Sequence, residues 1–124
     1  MTSEELENRL ISFAVGCIKY TKSSKNSFAE QHLNGQLIRS ATSAPLNYSE
    51  AIGAESYRDY IHKMQITLKE LRETKTNLKI QKEAQLNTME NQLNKLIQES
   101  TELILIFSKS IATSKRRNRP TNKK

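Results

Sequence analysis

The chain has 124 residues, with 20 Lys and Arg against 13 Asp and Glu, a net charge of +7 and a sequence pI of about 9.6. Leu, Ile, Val and Phe total 28 residues, about 23% of the chain, just above the roughly 20% below which chains stay disordered, so one domain with a thin core is expected. One cysteine, Cys17, excludes an internal disulfide framework, and the longest strongly apolar run, Leu103 to Phe107, is far short of the roughly 20 residues that span a bilayer.

The first predicted helix runs from about Ser3 to Tyr20. Thr2 followed by Glu5 has the form of a capping box, in which each side chain satisfies a backbone N–H left unpaired by the first turn. Leu6, Leu10, Phe13, Cys17 and Tyr20 follow at spacings of three or four, a helical stripe. The opening Met1-Thr2-Ser3-Glu4-Glu5 is acidic and lacks a signal-peptide pattern, so the cytoplasm is the expected location.

After a polar loop at residues 22–26, a second capping box, Ser27 with Glu30, opens a helix from about Phe28 to Ile52. Its stripe is Leu33, Leu37, Ala41, Tyr48 and Ile52. Pro45 lies inside it and is expected to kink it, since proline removes a helical hydrogen bond and clashes with the preceding turn. Gly53 stands where a left-handed helix stop is wanted.

Ser56 with Asp59 opens the third helix, about Tyr57 to Ala84, whose stripe Ile61, Met64, Leu68, Leu71, Lys75, Leu78 is apolar except at Lys75. Asn87 with Glu90 opens the fourth, about Thr88 to Ala112, with Met89, Leu93, Leu96, Ser100, Leu103 and Phe107, widened by Ile97, Ile104 and Ile111. Short loops make neighbours antiparallel, so the expected fold is all-α: an up-and-down four-helix bundle over residues 1–114. Residues 115–124 have nothing apolar to bury and are expected to form a disordered basic tail.

Lys115, Arg116, Arg117, Arg119, Lys123 and Lys124 place six cations and no carboxylate in the last ten positions. Setting these six aside leaves 14 basic and 13 acidic residues, so the bundle itself is nearly neutral and the end of the chain points to an anionic partner. Cations on a flexible arm bind phosphates by releasing counterions, without reading sequence. RNA or DNA is the expected partner, and a membrane is not, because no apolar anchor accompanies the charges.

Catalytic and metal chemistry find little support. His32 and His62 fall on different predicted helices, and helical di-iron sites need two Glu-x-x-His pairs where this chain has only Asp59 with His62. Cys17 sits on an apolar stripe, and the three glycines do not cluster into a phosphate loop. No cofactor, no metal and no enzymatic activity are expected. Glu70 and Glu73 are neighbours on one helix face; spacing alone fits solvated surface charges best, the alternative being an interior pair in which Arg39 on the second helix neutralises one of them.

The residues Arg39-Ser40-Ala41-Thr42-Ser43, Pro45, Asn47 and Glu50, then Tyr60-Ile61-His62-Lys63 and Leu68-Lys69-Glu70-Leu71-Arg72-Glu73-Thr74, resemble a bacterial family of four-helix bundle proteins. That family was first noticed as products of intervening sequences in large-subunit ribosomal RNA genes. A sister branch is the accessory variability protein of diversity-generating retroelements. The resemblance spans about residues 5 to 112 and implies an up-and-down bundle that assembles as a homopentamer. It also implies that Arg39, Asn47, Glu50, Glu70 and Glu73 form a structural polar network or subunit contact. Ala44 stands where a larger aliphatic residue is common in the family, and Thr76 and Asn77 where an aromatic is common. From the charges and the resemblance together, the expected function is a self-assembling bundle that binds nucleic acid through basic tails. The alternative is a scaffold for a protein such as a reverse transcriptase or other polymerase, with no nucleic-acid role of its own.

Overall fold

A computed structural model describes residues 1–118. It contains four helices, α1 Ser3–Thr21, α2 Phe28–Ile52, α3 Tyr57–Glu83 and α4 Glu90–Arg117, and among the described residues there is no strand. Each helix packs against its neighbours in sequence and α1 closes the ring against α4, as in an up-and-down bundle.

The helix starts follow from side-chain chemistry. Both hydrogen bonds of the Thr2–Glu5 box are present at 2.8 and 3.0 Å, and both bonds of the Ser27–Glu30 box at 3.2 and 3.1 Å. Ser56 Oγ accepts from the Asp59 N–H at 3.1 Å. The fourth start differs from expectation. Met89 is the N-cap of α4, without a side-chain cap, and Glu90 is the first helical residue. Asn87 lies too far upstream to cap. Its Oδ1 instead accepts from the Met89 N–H at 2.9 Å, while its Nδ2 donates to Ser23 Oγ at 3.0 Å and ties the α3–α4 turn to the α1–α2 turn.

The helix ends also carry corrections. Gly53 is not left-handed: its φ is −90°. The left-handed residues are Asn26, with φ 65°, and Gln85, with φ 54°. At Gln85 the chain closes α3 with Gln85 N–H to the Lys82 carbonyl at 3.1 Å and Leu86 N–H to the Gln81 carbonyl at 3.2 Å. This paired bonding is the Schellman closure usually made with glycine. Helix α2 runs unbroken through Pro45. Helix α4 continues to Arg117, so the expected boundary after Ser114 falls inside it. Lys and Arg are good helix formers, and cations in a last turn interact favourably with the unpaired carbonyls there. No apolar burial is needed to extend the helix through Lys115, Arg116 and Arg117.

The core is built from Leu6, Leu10, Phe13, Cys17 and Tyr20 of α1 and Leu93, Leu96, Leu103, Phe107 and Ile111 of α4, as their stripes predict. Helices α2 and α3 are rotated relative to theirs. On α2 the buried residues are Glu30, Asn34, Leu37, Ser40, Ala41, Ala44, Tyr48 and Ala51, while Ile52 is exposed. On α3 they are Met64, Thr67, Glu70, Leu71, Thr74, Asn77, Leu78 and Gln81, with Ile61 and Leu68 half-buried. The alanines, Ser40 and the threonines are small, so the two helices meet over a broad face. Ala44, fully buried, belongs to that close contact.

Two features close the ring. A Cβ on Gly16 of α1 would come within 3.1 Å of Leu96 Cδ2 on α4, which marks a close helix–helix approach. Arg9 of α1 grips Glu99 of α4 through two bonds of 2.6 and 2.8 Å and Glu102 through one of 2.6 Å. These carboxylates raise the Arg9 pKa further, chiefly through the Glu99 bonds, and Arg9 in turn lowers that of Glu102. Across the diagonal, the rings of Tyr48 on α2 and Phe107 on α4 meet edge to face, with centroids 5.2 Å apart and planes at 87°.

Because Gly53 has an ordinary φ and an added Cβ would meet only the Ser49 carbonyl at 3.8 Å, Gly53→Ala is expected to stabilise the fold by about 0.4–1 kcal/mol through the unfolded chain. Urea unfolding of the two proteins measures this. A left-handed Gly53 would give destabilisation instead.

Candidate nucleic-acid interface

The six basic positions near the C-terminus divide. Lys115, Arg116 and Arg117 are exposed on the last turn of α4, held by the helix rather than carried on a loose arm. The Asn118 N–H closes that turn on the Ser114 carbonyl at 3.0 Å. Arg119, Lys123 and Lys124 lie outside the described residues.

The antiparallel arrangement brings the end of α4 beside the start of α3. There, Tyr57, Tyr60, Ser114, Arg117 and Asn118 line a shallow concavity of about 240 Å³. Both tyrosines are half-buried. An aromatic surface beside guanidinium and ammonium groups can stack a base while the cations hold phosphates. Tyr57 and Tyr60 were not among the expected site residues. The antiparallel order expected from the sequence sets the end of α4 beside the start of α3, but spacing does not show which side chains meet there.

The five polar positions expected to form a network or subunit contact separate into three local arrangements. Arg39 Nη1 bonds Glu70 Oε1 at 3.3 Å, its Nη2 bonds Glu73 Oε2, and its Nε donates to Gln36 Oε1 at 3.3 Å. Glu50 pairs instead with Lys63 Nζ at 2.6 Å. Asn47 turns back on its own helix, donating to the Ser43 carbonyl and Ser43 Oγ, both at 2.9 Å. The first two arrangements bridge α2 and α3, and the third does not.

A buried polar group not expected from sequence lies alongside them. Asn77 Nδ2 donates to the Leu33 carbonyl at 2.9 Å, and Gln81 Nε2 donates to Asn77 Oδ1 at 2.9 Å and Asn34 Oδ1 at 3.2 Å. Ser40 Oγ and Thr74 Oγ1 are 2.7 Å apart, and Thr74 also donates to the Glu70 carbonyl at 2.8 Å. Thr67, Thr74 and Gln81 are seven apart, and that repeat on the side of α3 facing α2 is the signal that could have revealed them.

Other candidate groups are placed as follows. Cys17 is fully buried, and burial pushes its thiol up to about 12, so it is not poised as a nucleophile. His32 and His62 are exposed on α2 and α3. The Tyr20 hydroxyl is buried with no hydrogen-bond partner among the described residues, and burial raises its pKa, with Glu30 adding to the shift. No helix is long and apolar enough to cross a membrane among the described residues.

The profile of the 23S rRNA-intervening sequence protein family matches residues 5–109. The chain belongs to that family. A crystal structure from Bacteroides thetaiotaomicron, of a protein of unknown function in the S23 ribosomal protein family, superposes with a TM-score of 0.80 at 30% sequence identity. The match covers 90% of this chain and 99% of that one. Among curated proteins none matches the chain. The family match includes the α2–α3 polar positions and Tyr57 and Tyr60, and it stops before Lys115.

Glu30 provides a test of the polar end of the bundle. It is 3% exposed and accepts from Lys25 N–H, Ser27 N–H and Ser24 Oγ, all within 3.2 Å. These bonds, that from Lys25 first, hold its carboxyl at about 2 against an ordinary 4.5. A depressed carboxylate stabilises the fold above its unfolded pKa, and this contribution fades as pH falls from about 4.5 towards 2. Glu30→Gln is therefore expected to lower the melting temperature at pH 7, with the gap to the native chain narrowing over that window in a pH series of thermal melts.

Proposed function

We propose that this protein is a non-enzymatic, self-assembling bundle of the cytoplasm that binds RNA or DNA by charge at the C-terminal end of α4. The observation that carries this reading is the exposed turn of Lys115, Arg116 and Arg117, of which Arg117 lines a concavity with Tyr57 and Tyr60. Three cations on a helix end lose less freedom on binding than the same cations on a free arm. The tyrosines offer faces to unpaired bases, so single-stranded RNA is the ligand that this end suits best. Assembly into a homopentamer, as the resemblance implies, would gather five such ends and convert weak single contacts into avid binding.

A second reading has an observation of its own. Ile80 is 47% exposed, and it borders two shallow concavities, one shared with Leu33, Gln36 and Thr76, the other with Lys79, Glu83 and Ala84. Phe28 and Leu46 are also exposed on α2. These side chains suit a protein contact, either a second copy of the chain or a partner such as a polymerase. Ile38 and Ile66, which lie off the main apolar stripes of α2 and α3, are half-buried.

Titration of a single-stranded RNA with the full chain and with a chain ending at Ser114 tests the first reading. Binding by the full chain is expected to weaken steeply with salt. In log–log form the slope should fall by about 0.7 for each phosphate that the shortened chain no longer neutralises. Binding that survives truncation unchanged would remove the α4 end from the mechanism. Absence of binding by the full chain would favour the protein-contact reading.

A further inference from the structure

The exposed side of α3 holds a second charged feature that the basic end does not explain. Arg58, Lys69, Arg72, Lys79 and Lys82 are all exposed. Lys69, Arg72 and Lys79 recur at intervals of three and seven on the side of the helix away from the buried Thr67 and Thr74. Lys82 continues the row while turning towards α4, where it lines a concavity with Glu90 and Leu93. Among the described residues none of the five is in an ion pair. The carboxylates of α3 are engaged or peripheral. Glu70 and Glu73 are drawn towards α2 by Arg39, Asp59 sits in the first turn, and Glu83 lies at the far end. The result is a cationic ridge from Arg58 to Lys82, about 36 Å long at 1.5 Å per residue.

We infer that this ridge is a docking surface for the backbone of double-stranded RNA. The inference rests on the reading that the protein binds RNA, and assigns a second surface and a different form of the ligand. Three properties select the occupant. The charge complements a row of phosphates. The ridge between Arg58 and Lys82 presents no tyrosine or phenylalanine beyond the half-buried Tyr60 at its start, so it offers no platform for stacking unpaired bases. Helix α3 is flanked by α2 and α4, so it cannot enter a major groove as a lone helix does. A broad, flat face instead fits the wide, shallow minor groove of A-form RNA, where 2′-hydroxyls are displayed. Gln65 and Thr76, exposed between the cations, supply polar groups to meet them.

The test uses the full chain and two variants. One replaces Lys69, Arg72, Lys79 and Lys82 with Gln, and the other replaces Lys115, Arg116 and Arg117 with Gln. Probes are an RNA duplex of about 20 base pairs, roughly two turns, a DNA duplex of the same sequence, and one strand of the RNA. The ridge variant is expected to bind the RNA duplex about tenfold or more weakly, and to lower its salt slope by up to about 3–4, while still binding the single strand. The α4 variant is expected to stop binding the single strand. All seven positions are exposed, so both variants should fold, with at most the small last-turn contribution of the α4 cations lost from the melting temperature, and weaker binding is not misfolding. Native affinity of the ridge variant for the RNA duplex would overturn the inference and leave the α4 end standing. Equal binding of both duplexes, weakened equally in the ridge variant, would overturn the choice of RNA. Failure of the unaltered chain to bind any probe would overturn both this inference and the functional reading beneath it.

Discussion

The pairing of α2 with α3 depends on buried polar side chains that satisfy one another. Ser40 meets Thr74, Asn34 and Asn77 both meet Gln81, and Asn77 reaches the Leu33 carbonyl, while at the exposed edge of the same seam Arg39 spans the buried Glu70 and the exposed Glu73. An orphaned buried polar group costs about 1–3 kcal/mol, so sliding α3 along α2 by one turn would strand several groups at once. Apolar contacts alone tolerate such slides far better. The seam therefore specifies the register of these two helices, and the register places the rest. It turns Glu70 and Glu73 inwards to Arg39, leaves the cations of α3 outwards, and sets Tyr57 and Tyr60 where the end of α4 arrives.

Helices α1 and α4 complete the bundle by other means. Their stripes are largely apolar and their approach is close at Gly16, with the Arg9 clamp on the outside. An aromatic edge from Phe107 reaches across to Tyr48. One half of the molecule is thus held by hydrophobic burial, the other by small residues and matched hydrogen bonds. The economy of large apolar side chains in the second half accounts for how a chain with so few of them still encloses a core.

This division also explains what the sequence disclosed. The four helices, their order and three of their caps were legible, because capping chemistry is local. The stripes of α1 and α4 were legible because burial there follows hydrophobicity. Those of α2 and α3 were misplaced by part of a turn, since Asn34, Thr74 and Gln81 look like surface residues until their partners are seen. Gly53 was misjudged because the left-handed turn falls on Gln85, where the hydrogen bonds of the turn outweigh the missing glycine. At the candidate site the basic residues were evident, whereas their helical footing and the neighbouring tyrosines arise only from packing. Within the polar set, Arg39 meets Glu70 and Glu73, whereas Glu50 pairs with Lys63, a partner that spacing along one helix does not reveal.

Cys17 lies near the C-terminal end of α1 with no exposed surface, its thiol held protonated by its surroundings. A thiol reagent in solution cannot meet it while the helices are closed. Labelling at this single sulfur therefore proceeds only from molecules that have opened, and its rate is a clock for the opening of the bundle. The chain carries its own unperturbing reporter of breathing motions, in a position where no dye or engineered residue has to be introduced.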